Sequence, residues 1–385
     1  MLTSPAQLFM VTAPLALVAA GALLAVDGAD LLASGWAPST LALVHLGTLG
    51  YLALGTFGLV YAFIPGLDVP RPPSRRVSLA VYVLLLVGLA SLVAGFLTGE
   101  SLPLFVALTP LVIALPCFAV AVFRSLRAAP AGVPADALRI VAASCLLTVV
   151  IGEWMLHGHS GMRFPGPRPL WVQVHLGVAL MGWIGGVFSA LIPSPGVARA
   201  ERAERLLLAI GVGLPPLVLL GEALSGIGAS GPWIAAFAAL PAATAVLLVQ
   251  PARVLRAGSL GRDDGARARG AGLALAPGVA LAAGVTWFAG DPRWNVVLGW
   301  LAIHGWAGLV LHGLLLQHTP GGAGARRPAL GLGLHLSALA VGTIATLAAW
   351  DAGARLAGVL LAATGIWLAV AVRASPARVP PSPRA

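Results

Sequence analysis

Long apolar blocks dominate the chain, and short polar segments separate each block from the next. About 20 consecutive apolar residues are enough to cross a bilayer as a helix. The pattern predicts about twelve such spans, so we expect an all-α integral membrane protein. The spans lie at residues 7–26, 39–65, 77–98, 103–126, 137–157, 171–193, 205–227, 232–250, 271–290, 295–318, 329–350 and 354–373.

Composition agrees with this pattern. Hydrophobic residues make up 59% of the chain and charged residues 9%, and the mean hydropathy is +0.94. So few polar residues cannot cover the surface of a water-soluble globule, and the lipid bilayer is therefore the first expected partner. We expect one polytopic membrane domain over residues 1–375 and a disordered, proline-rich cytoplasmic tail over residues 376–385.

The positions of the arginines predict which ends of the spans face the cytoplasm. Every basic residue is an arginine, and 19 of the 23 fall in alternate loops. Basic loops stay on the cytoplasmic side, so we predict a protein of the bacterial inner membrane with both termini in the cytoplasm. The net charge of +10 is explained in this way and does not indicate nucleic acid. The four arginines in the other set of loops are Arg163, Arg168, Arg293 and Arg355.

Three histidines lie at nearly equal intervals along the chain. His45, His175 and His304 are separated by 130 and 129 residues. Each stands near the start of an apolar segment that contains a glycine–aromatic pair and ends at a proline. This repeat predicts three similar four-span units around a common centre, at roughly residues 1–130, 131–260 and 261–375. The pairs are Gly50-Tyr51, Gly182-Trp183 and Gly305-Trp306.

The predicted topology places these three histidines in spans 2, 6 and 10, in the outer half of the membrane. An ionisable side chain in a span usually faces the bundle interior and is a functional candidate. Neutral imidazole binds haem iron, copper or zinc. A lone histidine in a span more often forms a hydrogen bond between helices, but a repeated set of three favours ligands.

A six-coordinate haem needs two axial nitrogens on opposite faces and small residues that make room for the macrocycle. Glycines near His45 and His304 can supply that room, and they can equally serve close helix packing. The chain lacks the C-x-x-C-H motif, so any haem is bound non-covalently. The glycines are Gly47, Gly50, Gly55, Gly58, Gly305 and Gly308.

Further ligand-capable residues reach the same outer level. Glu153 and His157 are spaced i, i+4 and share a helix face, His159 follows, and Glu222 lies near the outer end of span 7. His157 and His159 can equally be interfacial histidines in a loop. With His175, these residues make up a candidate second site.

Three more histidines lie deeper in the predicted spans. His312 and His318 follow His304 in span 10, and His335 lies near the inner end of span 11, at the other face of the membrane from His304. For these three we expect hydrogen bonds and no ligand role.

The segment at His45 reads H-x4-G-aromatic-x6-G-x6-P, through Gly50, Tyr51, Gly58 and Pro65. It resembles the second span of haem–copper oxidase catalytic subunits, especially those of the nitric oxide reductase branch. It also resembles the NnrS family of haem-containing membrane proteins. Twelve spans in four-span units are a further feature of those families.

A second segment carries part of the resemblance. His175 and the pair Gly182-Trp183 resemble an H-x-H-x4-G-W helix of the oxidases, in which His175 matches the first histidine. Gly177 stands where the second histidine would be. In motif, the resemblance covers only about sixty residues of the chain.

The resemblance implies a haem, b-type and non-covalent, with His45 and His304 as axial ligands. It also implies a second iron or copper ion at His175. Glu222 and His157 or His159 are the candidates for its further ligands. The function implied is electron transfer or the handling of nitric oxide or oxygen, and an oxidoreductase activity is open. A cytochrome or quinol electron donor, or other membrane subunits, would be the partners.

The chain also departs from the oxidases. It has no adjacent histidine pair in span 7, no H-P-E-V-Y-like turn in span 6 and no H-x-H in span 10. A complete copper centre of the oxidase kind is therefore not expected. Two alternatives stay open: a transporter of metal, haem or a small solute with a histidine-lined path, and a structural membrane subunit whose histidines only form hydrogen bonds.

Overall fold

The computed structural model describes residues 4–67, 69–129, 133–159, 168–192, 198–225, 240–258, 261, 263–318 and 328–373. All regular secondary structure in these ranges is helical. We number the long helices of this part α1 to α12 in chain order. They are α1 Pro5–Asp27, α2 Pro38–Leu67, α3 Arg75–Thr98, α4 Ser101–Leu126, α5 Val133–His159, α6 168–191, α7 Ala198–Ser225, α8 240–257, α9 Asp264–Ala289, α10 Arg293–His318, α11 Pro328–Ala348 and α12 Asp351–Arg373.

Ten helices in the described part are long and apolar enough to cross a membrane. The chain is therefore a polytopic helical membrane protein, as its sequence predicts. The ten match ten of the predicted spans, nine of them to within a few residues, and α9 begins seven residues before its predicted span. Helix α7 covers most of the seventh predicted span but is not among the ten, and part of the eighth span lies outside the described residues. The count of twelve spans stays a prediction.

Several helices begin and end where local sequence requires it. The Ser4 hydroxyl accepts a hydrogen bond from the Gln7 amide at 3.2 Å, and the Gln7 side chain accepts one from the Ser4 amide. This reciprocal pair is a capping box, which satisfies amides at the start of α1. Ser74 caps α3 by accepting from the Val77 amide. Gly99 ends α3 with a φ of 72°, a left-handed conformation that glycine adopts without strain.

The first and last helices pack along each other in antiparallel fashion. A Cβ on Gly21 would lie 2.6 Å from the carbonyl oxygen of Gly358, so only small residues fit between α1 and α12. Where α1 ends, the Asp351 carboxylate accepts from the Ala29 amide at 3.0 Å and pairs with Arg355 at 2.8 Å. Helix α1 therefore begins, and α12 ends, at one end of the bundle, which we call the terminal end.

Helices α2, α6 and α10 form the centre of the bundle. The buried share of their apolar segments is 78%, 72% and 83%, against 33–56% for the other seven candidate spans. Each of the three contacts the other two. The helices that carry His45, His175 and His304 are therefore those shielded most from lipid.

Each central helix contains a π-helical segment, and in each it includes the glycine–aromatic pair of the repeat. The segments are Leu46–Ala53, Gly177–Ile184 and Leu301–Ala307. A π-helical segment replaces the usual i→i+4 backbone pairing and is frequently found at functional sites. Among the described residues one further segment of this kind occurs, Ala245–Val249 in α8.

The aromatic residues of the three pairs connect the central helices in a closed cycle. One contact runs from α2 to α10, one from α10 to α6 and one from α6 to α2. They are the Tyr51 hydroxyl donating to the Gly308 carbonyl at 3.1 Å, the Trp306 and Phe188 rings with centroids 5.8 Å apart, and the Trp183 and Phe57 rings with centroids 5.4 Å apart. The repeated sequence pattern thus corresponds to repeated packing at the centre.

Two arginines that the sequence pattern assigned to a cytoplasmic loop lie buried within helices. The Nε of Arg253 in α8 is 2.6 Å from a carboxylate oxygen of Glu204 in α7. Arg269 in α9 donates to the side chain of Gln317 in α10 at 2.5 Å. A buried charge needs a counter-charge or hydrogen bonds, and these contacts give Arg253 an ion pair and Arg269 a hydrogen bond. The loop assignment is therefore wrong for these two residues.

Candidate functional site

The three repeat histidines lie one on each of the central helices α2, α6 and α10, in the half of the bundle away from the terminal end. At a rise of 1.5 Å per residue, His45 is about 10 Å from the start of α2. His304 is about 16 Å from the start of α10 by the same measure. The helix that carries His175 begins at Arg168, so His175 is also about 10 Å from its start. The depth order expected from the sequence is therefore preserved.

His45 holds a fixed tautomer through a backbone contact one turn earlier. Its Nδ1 is 2.7 Å from the carbonyl oxygen of Leu41, and its ring packs on Phe96 of α3. A carbonyl oxygen only accepts, so Nδ1 carries the hydrogen and Nε2 keeps its lone pair. A histidine that donates one ring N–H to a backbone carbonyl is the usual form of a metal ligand.

His304 packs against α2. A Cβ on Gly47 would lie 3.2 Å from Cε1 of the His304 ring and 3.4 Å from its Nε2. The ring also lies beside Trp300, with centroids 4.7 Å apart. Its Nδ1 is buried and has no hydrogen-bond partner among the described residues. Such an atom costs about 1–3 kcal/mol of folding free energy unless something satisfies it, which makes it a candidate ligand atom.

His175 packs against α5. A Cβ on Gly152 would lie 2.9 Å from Cε1 of the His175 ring. Its Nδ1 is buried and makes no hydrogen bond of standard geometry to the described residues, although the ring lies close to the Thr148 backbone. The His45 side chain lies within electrostatic range of the ring. The contacts of the structure therefore set His175 against α5 and His304 against α2.

The glycines around these histidines are filled by packing. The atoms nearest to a Cβ built on Gly47, Gly50, Gly55 or Gly58 lie at 2.5–2.9 Å, and they belong to neighbouring helices. Atoms of other helices also lie at 3.5 Å from such a Cβ on Gly305 and on Gly308. Close helix contact is thus what these glycines permit in this structure, and the suggestion that they make room for a macrocycle stays a prediction.

The candidate second site is described only in part. His157 Nδ1 donates to the Glu153 carbonyl at 2.7 Å, within α5. One carboxylate oxygen of Glu153 is buried without a hydrogen-bond partner among the described residues. The side chains of His159 and Glu222 lie outside the described part. Within that part, no group of three or more His, Cys, Asp or Glu residues could hold a metal ion. A metal ion at His175 therefore needs a ligand from His159 or Glu222.

The deeper histidines form the hydrogen bonds expected of them. His318 Nδ1 donates to the Leu314 carbonyl at 3.0 Å, the Nδ1 atoms of His312 and His335 are 3.2 Å apart, and Nε2 of His335 is 2.9 Å from the His304 carbonyl oxygen. The expectation that His335 lies at the other face of the membrane from His304 is wrong, because the two residues are in contact.

A signal in the sequence could have found this pair. Helices α10 and α11 are consecutive in the chain, and consecutive elements commonly pack side by side. His312 lies six residues before the end of α10, and His335 lies seven residues after the start of α11. Residues equally far from the connection lie at the same level, so the two histidines are neighbours by hairpin geometry.

A comparison with protein-family models finds no match for this chain, and a comparison with curated proteins finds none either.

Proposed function

We propose that this chain is an integral membrane protein that binds a haem through histidines of its central helices. The observation that carries the proposal is the hydrogen-bonding state of the ring nitrogens of His45, His175 and His304. His45 keeps a basic Nε2, and the buried Nδ1 atoms of His175 and His304 make no hydrogen bond of standard geometry to the described residues. Neutral imidazole nitrogens in a water-poor core are the donors that haem iron takes.

His45 and His304 would hold the iron, as the resemblance to the oxidases and the NnrS family implies. The donor atoms suit a low-spin haem iron. The distance between α2 and α10 is too small for the macrocycle in this structure, because the His304 ring packs directly on Gly47. A haem between α2 and α10 therefore requires these helices to lie further apart than in the structure.

A bound haem would supply one-electron redox chemistry, and it would bind a diatomic gas only where one of the two axial histidines gives up its position. We accordingly propose a role in electron transfer or in the handling of nitric oxide or oxygen, with a cytochrome or quinol as electron donor. The chain's own contribution is to exclude water and to hold the imidazoles in place. The apolar segments of the three central helices are 72–83% buried, which provides this shielding.

We propose further that the chain consists of three four-span units around the α2–α6–α10 centre. The closed cycle of contacts made by Tyr51, Trp306 and Trp183 supports this arrangement. The alternating arginines support an orientation in the bacterial inner membrane with both termini in the cytoplasm.

A transporter of metal ions is the second candidate. The observation that favours it is the run of histidines along α10, from His304 at the centre through His312 to His318 near the terminal end. Ligands spaced along one central helix are what a path across the bundle requires.

An absorption spectrum of the purified protein, together with metal analysis, separates these functions. The protein is produced with ample haem precursor and iron, and purified in mild detergent. A Soret band and a sharp reduced α-band, with iron in equal amount to haem, are expected. Bound copper or zinc without haem would favour transport. A colourless, metal-free protein that is folded would contradict both.

A further inference from the structure

His335 connects two residues of α10 from the neighbouring helix α11. On one side its Nε2 is 2.9 Å from the carbonyl oxygen of His304. On the other side its Nδ1 is 3.2 Å from Nδ1 of His312. The His312 and His335 side chains are fully buried, and His304 is 2% exposed, so water does not compete for these contacts.

The hydrogen positions in this unit follow from counting donors. A carbonyl oxygen only accepts, so Nε2 of His335 carries a hydrogen. In a neutral ring the Nδ1 of His335 is then an acceptor, and Nδ1 of His312 must donate to it. The Nε2 of His312 is left without a hydrogen, and it has no partner among the described residues. Each of the two rings is thus held in one tautomer.

The His304 carbonyl is available to His335 because of the local backbone. In a regular α-helix it would accept the amide hydrogen of Gly308. His304 instead lies within the π-helical segment Leu301–Ala307, where that pairing is replaced. A Cβ on Gly308 would lie 3.5 Å from two atoms of the His335 ring, so glycine leaves the ring space to approach.

His312 is itself held from a third helix. The Trp367 ring of α12 stacks on His312, with centroids 5.7 Å apart and an interplanar angle of 30°. The contacts therefore run from α12 through His312 and His335 to the backbone of His304. They end at the turn that sets the direction of the His304 side chain.

We propose that His335 and His312 are positioning residues for His304. The hydrogen bond from His335 fixes the π-helical turn, and His312 fixes the tautomer and orientation of His335. Together they hold the His304 imidazole against α2, with its Nδ1 unpartnered. The ligand role of His304 rests on the function proposed above, but the positioning unit itself does not.

Nitrogen-15 NMR of histidine-labelled protein tests the unit without any cofactor. The chain has only eight histidines, so the ring nitrogens are few. We expect His335 as the Nε2–H tautomer, His312 as the Nδ1–H tautomer, and a scalar coupling across their N–H···N bond. Finding both rings in the same neutral tautomer, or no coupling, would overturn the assignment.

Variants of His335 test the positioning itself. His335→Phe removes both hydrogen bonds and should shift the ring resonances of His304. His335→Gln retains an N–H donor at the distance of Nε2 and should restore them in large part. His335→Asn carries its polar atoms at the distance of Nδ1 and should not. His318→Ala, which loses only a bond within α10, is the matched control.

Size-exclusion chromatography of each variant distinguishes a loss of folding from a loss of His304 positioning. If His335→Phe elutes as the wild type does and the His304 resonances stay unchanged, His335 does not position His304. If His335→Phe does not fold, the contrast between His335→Gln and His335→Asn decides, and equal His304 resonances in those two variants contradict the proposal.

With haem bound, the same variants have a second readout. Outer-shell partners of a ligating histidine commonly change metal affinity about 10–100-fold, and a loss of that size in haem retention is expected for His335→Phe. His335→Gln should recover most of it. If the wild type binds no haem, the proposed function fails, while the NMR result still decides whether His335 and His312 position His304.

Discussion

The imidazole of His304 lies against α2 at Gly47, the second residue after His45. A Cβ at position 47 would come within 3.2 Å of that ring and within 2.9 Å of the Ile303 side chain. The position of the His304 side chain therefore depends on the absence of a side chain at residue 47. The contact therefore joins the side chain of His304 to the helix segment that carries His45, although the two histidines lie in different thirds of the chain.

Replacement of Gly47 by alanine should lower the melting temperature and weaken any cofactor bound at His304. Overpacking of a filled core site commonly costs about 1–3 kcal/mol. Gly299→Ala is the matched control, because it lies in the same helix as His304 and a Cβ there meets nothing within 4 Å. Melting curves in detergent measure the difference, and equal melting temperatures for the two variants would contradict the packing described.

The buried Glu204–Arg253 ion pair should contribute more to the free energy of unfolding than the partly exposed Glu201–Arg253 pair. Glu204 and Arg253 are both fully buried, whereas the Glu201 side chain is 13% exposed and lies 3.5 Å from Arg253. Removal of one partner of a buried pair commonly costs about 3–5 kcal/mol, because the other charge is left uncompensated. Glu204→Gln should therefore lower the melting temperature well below that of Glu201→Gln. A larger effect of Glu201→Gln would show that the pairing is misassigned.

Cysteine labelling in intact cells tests the proposed orientation. In a background without Cys117 and Cys145, single cysteines replace Arg75, Arg202 and Arg163 in turn. Since arginine-rich loops stay in the cytoplasm, an impermeant maleimide should label only position 163. Labelling at position 75 or 202 in intact cells would show that the proposed orientation is wrong. Labelling after lysis confirms that each cysteine is accessible.

Metal analysis tests the second site at His175. If His175 and Glu222 hold an iron ion, non-haem iron should be present in stoichiometric amount and should fall in His175→Ala and in Glu222→Ala. Imidazole together with carboxylate suits iron better than copper(I), which prefers softer ligands. His318→Ala should retain the metal. Unchanged metal content and unchanged nitric oxide binding in both site variants would mean that no second site exists.

Hydrophobic patterning predicts much of the fold, because length and apolarity alone identify helices that cross a bilayer. It recovers ten candidate spans, nine of them to within a few residues, and the histidine repeat identifies the three helices at the centre. The repeat succeeds because residues at corresponding places in similar units meet the same surroundings. The helix over the seventh span is not among the ten, and charges and two adjacent prolines interrupt its apolar run; the eighth span lies partly outside the described residues.

The details of the site could not be predicted because they depend on contacts between distant segments. Whether Gly47 leaves space or is filled depends on Ile303 and His304, which lie more than 250 residues away. The π-helical segments have no sequence signature at the level of apolar periodicity, yet one of them makes the His304 carbonyl available to His335. Depth counted along single helices placed His335 too far from His304, since it ignored how α10 and α11 pair.

The central claim is that imidazoles of the central helices bind a haem, with His45 as one axial ligand. Its most direct test is the reduced-minus-oxidised spectrum of His45→Gly, recorded with and without added imidazole, beside wild type and His318→Ala. The low-spin α-band should be lost in His45→Gly and return with imidazole, because the free base can occupy the vacated axial position. His318→Ala should match wild type. A His45→Gly protein that keeps the full low-spin band without imidazole, or a folded wild type without haem, would contradict the account.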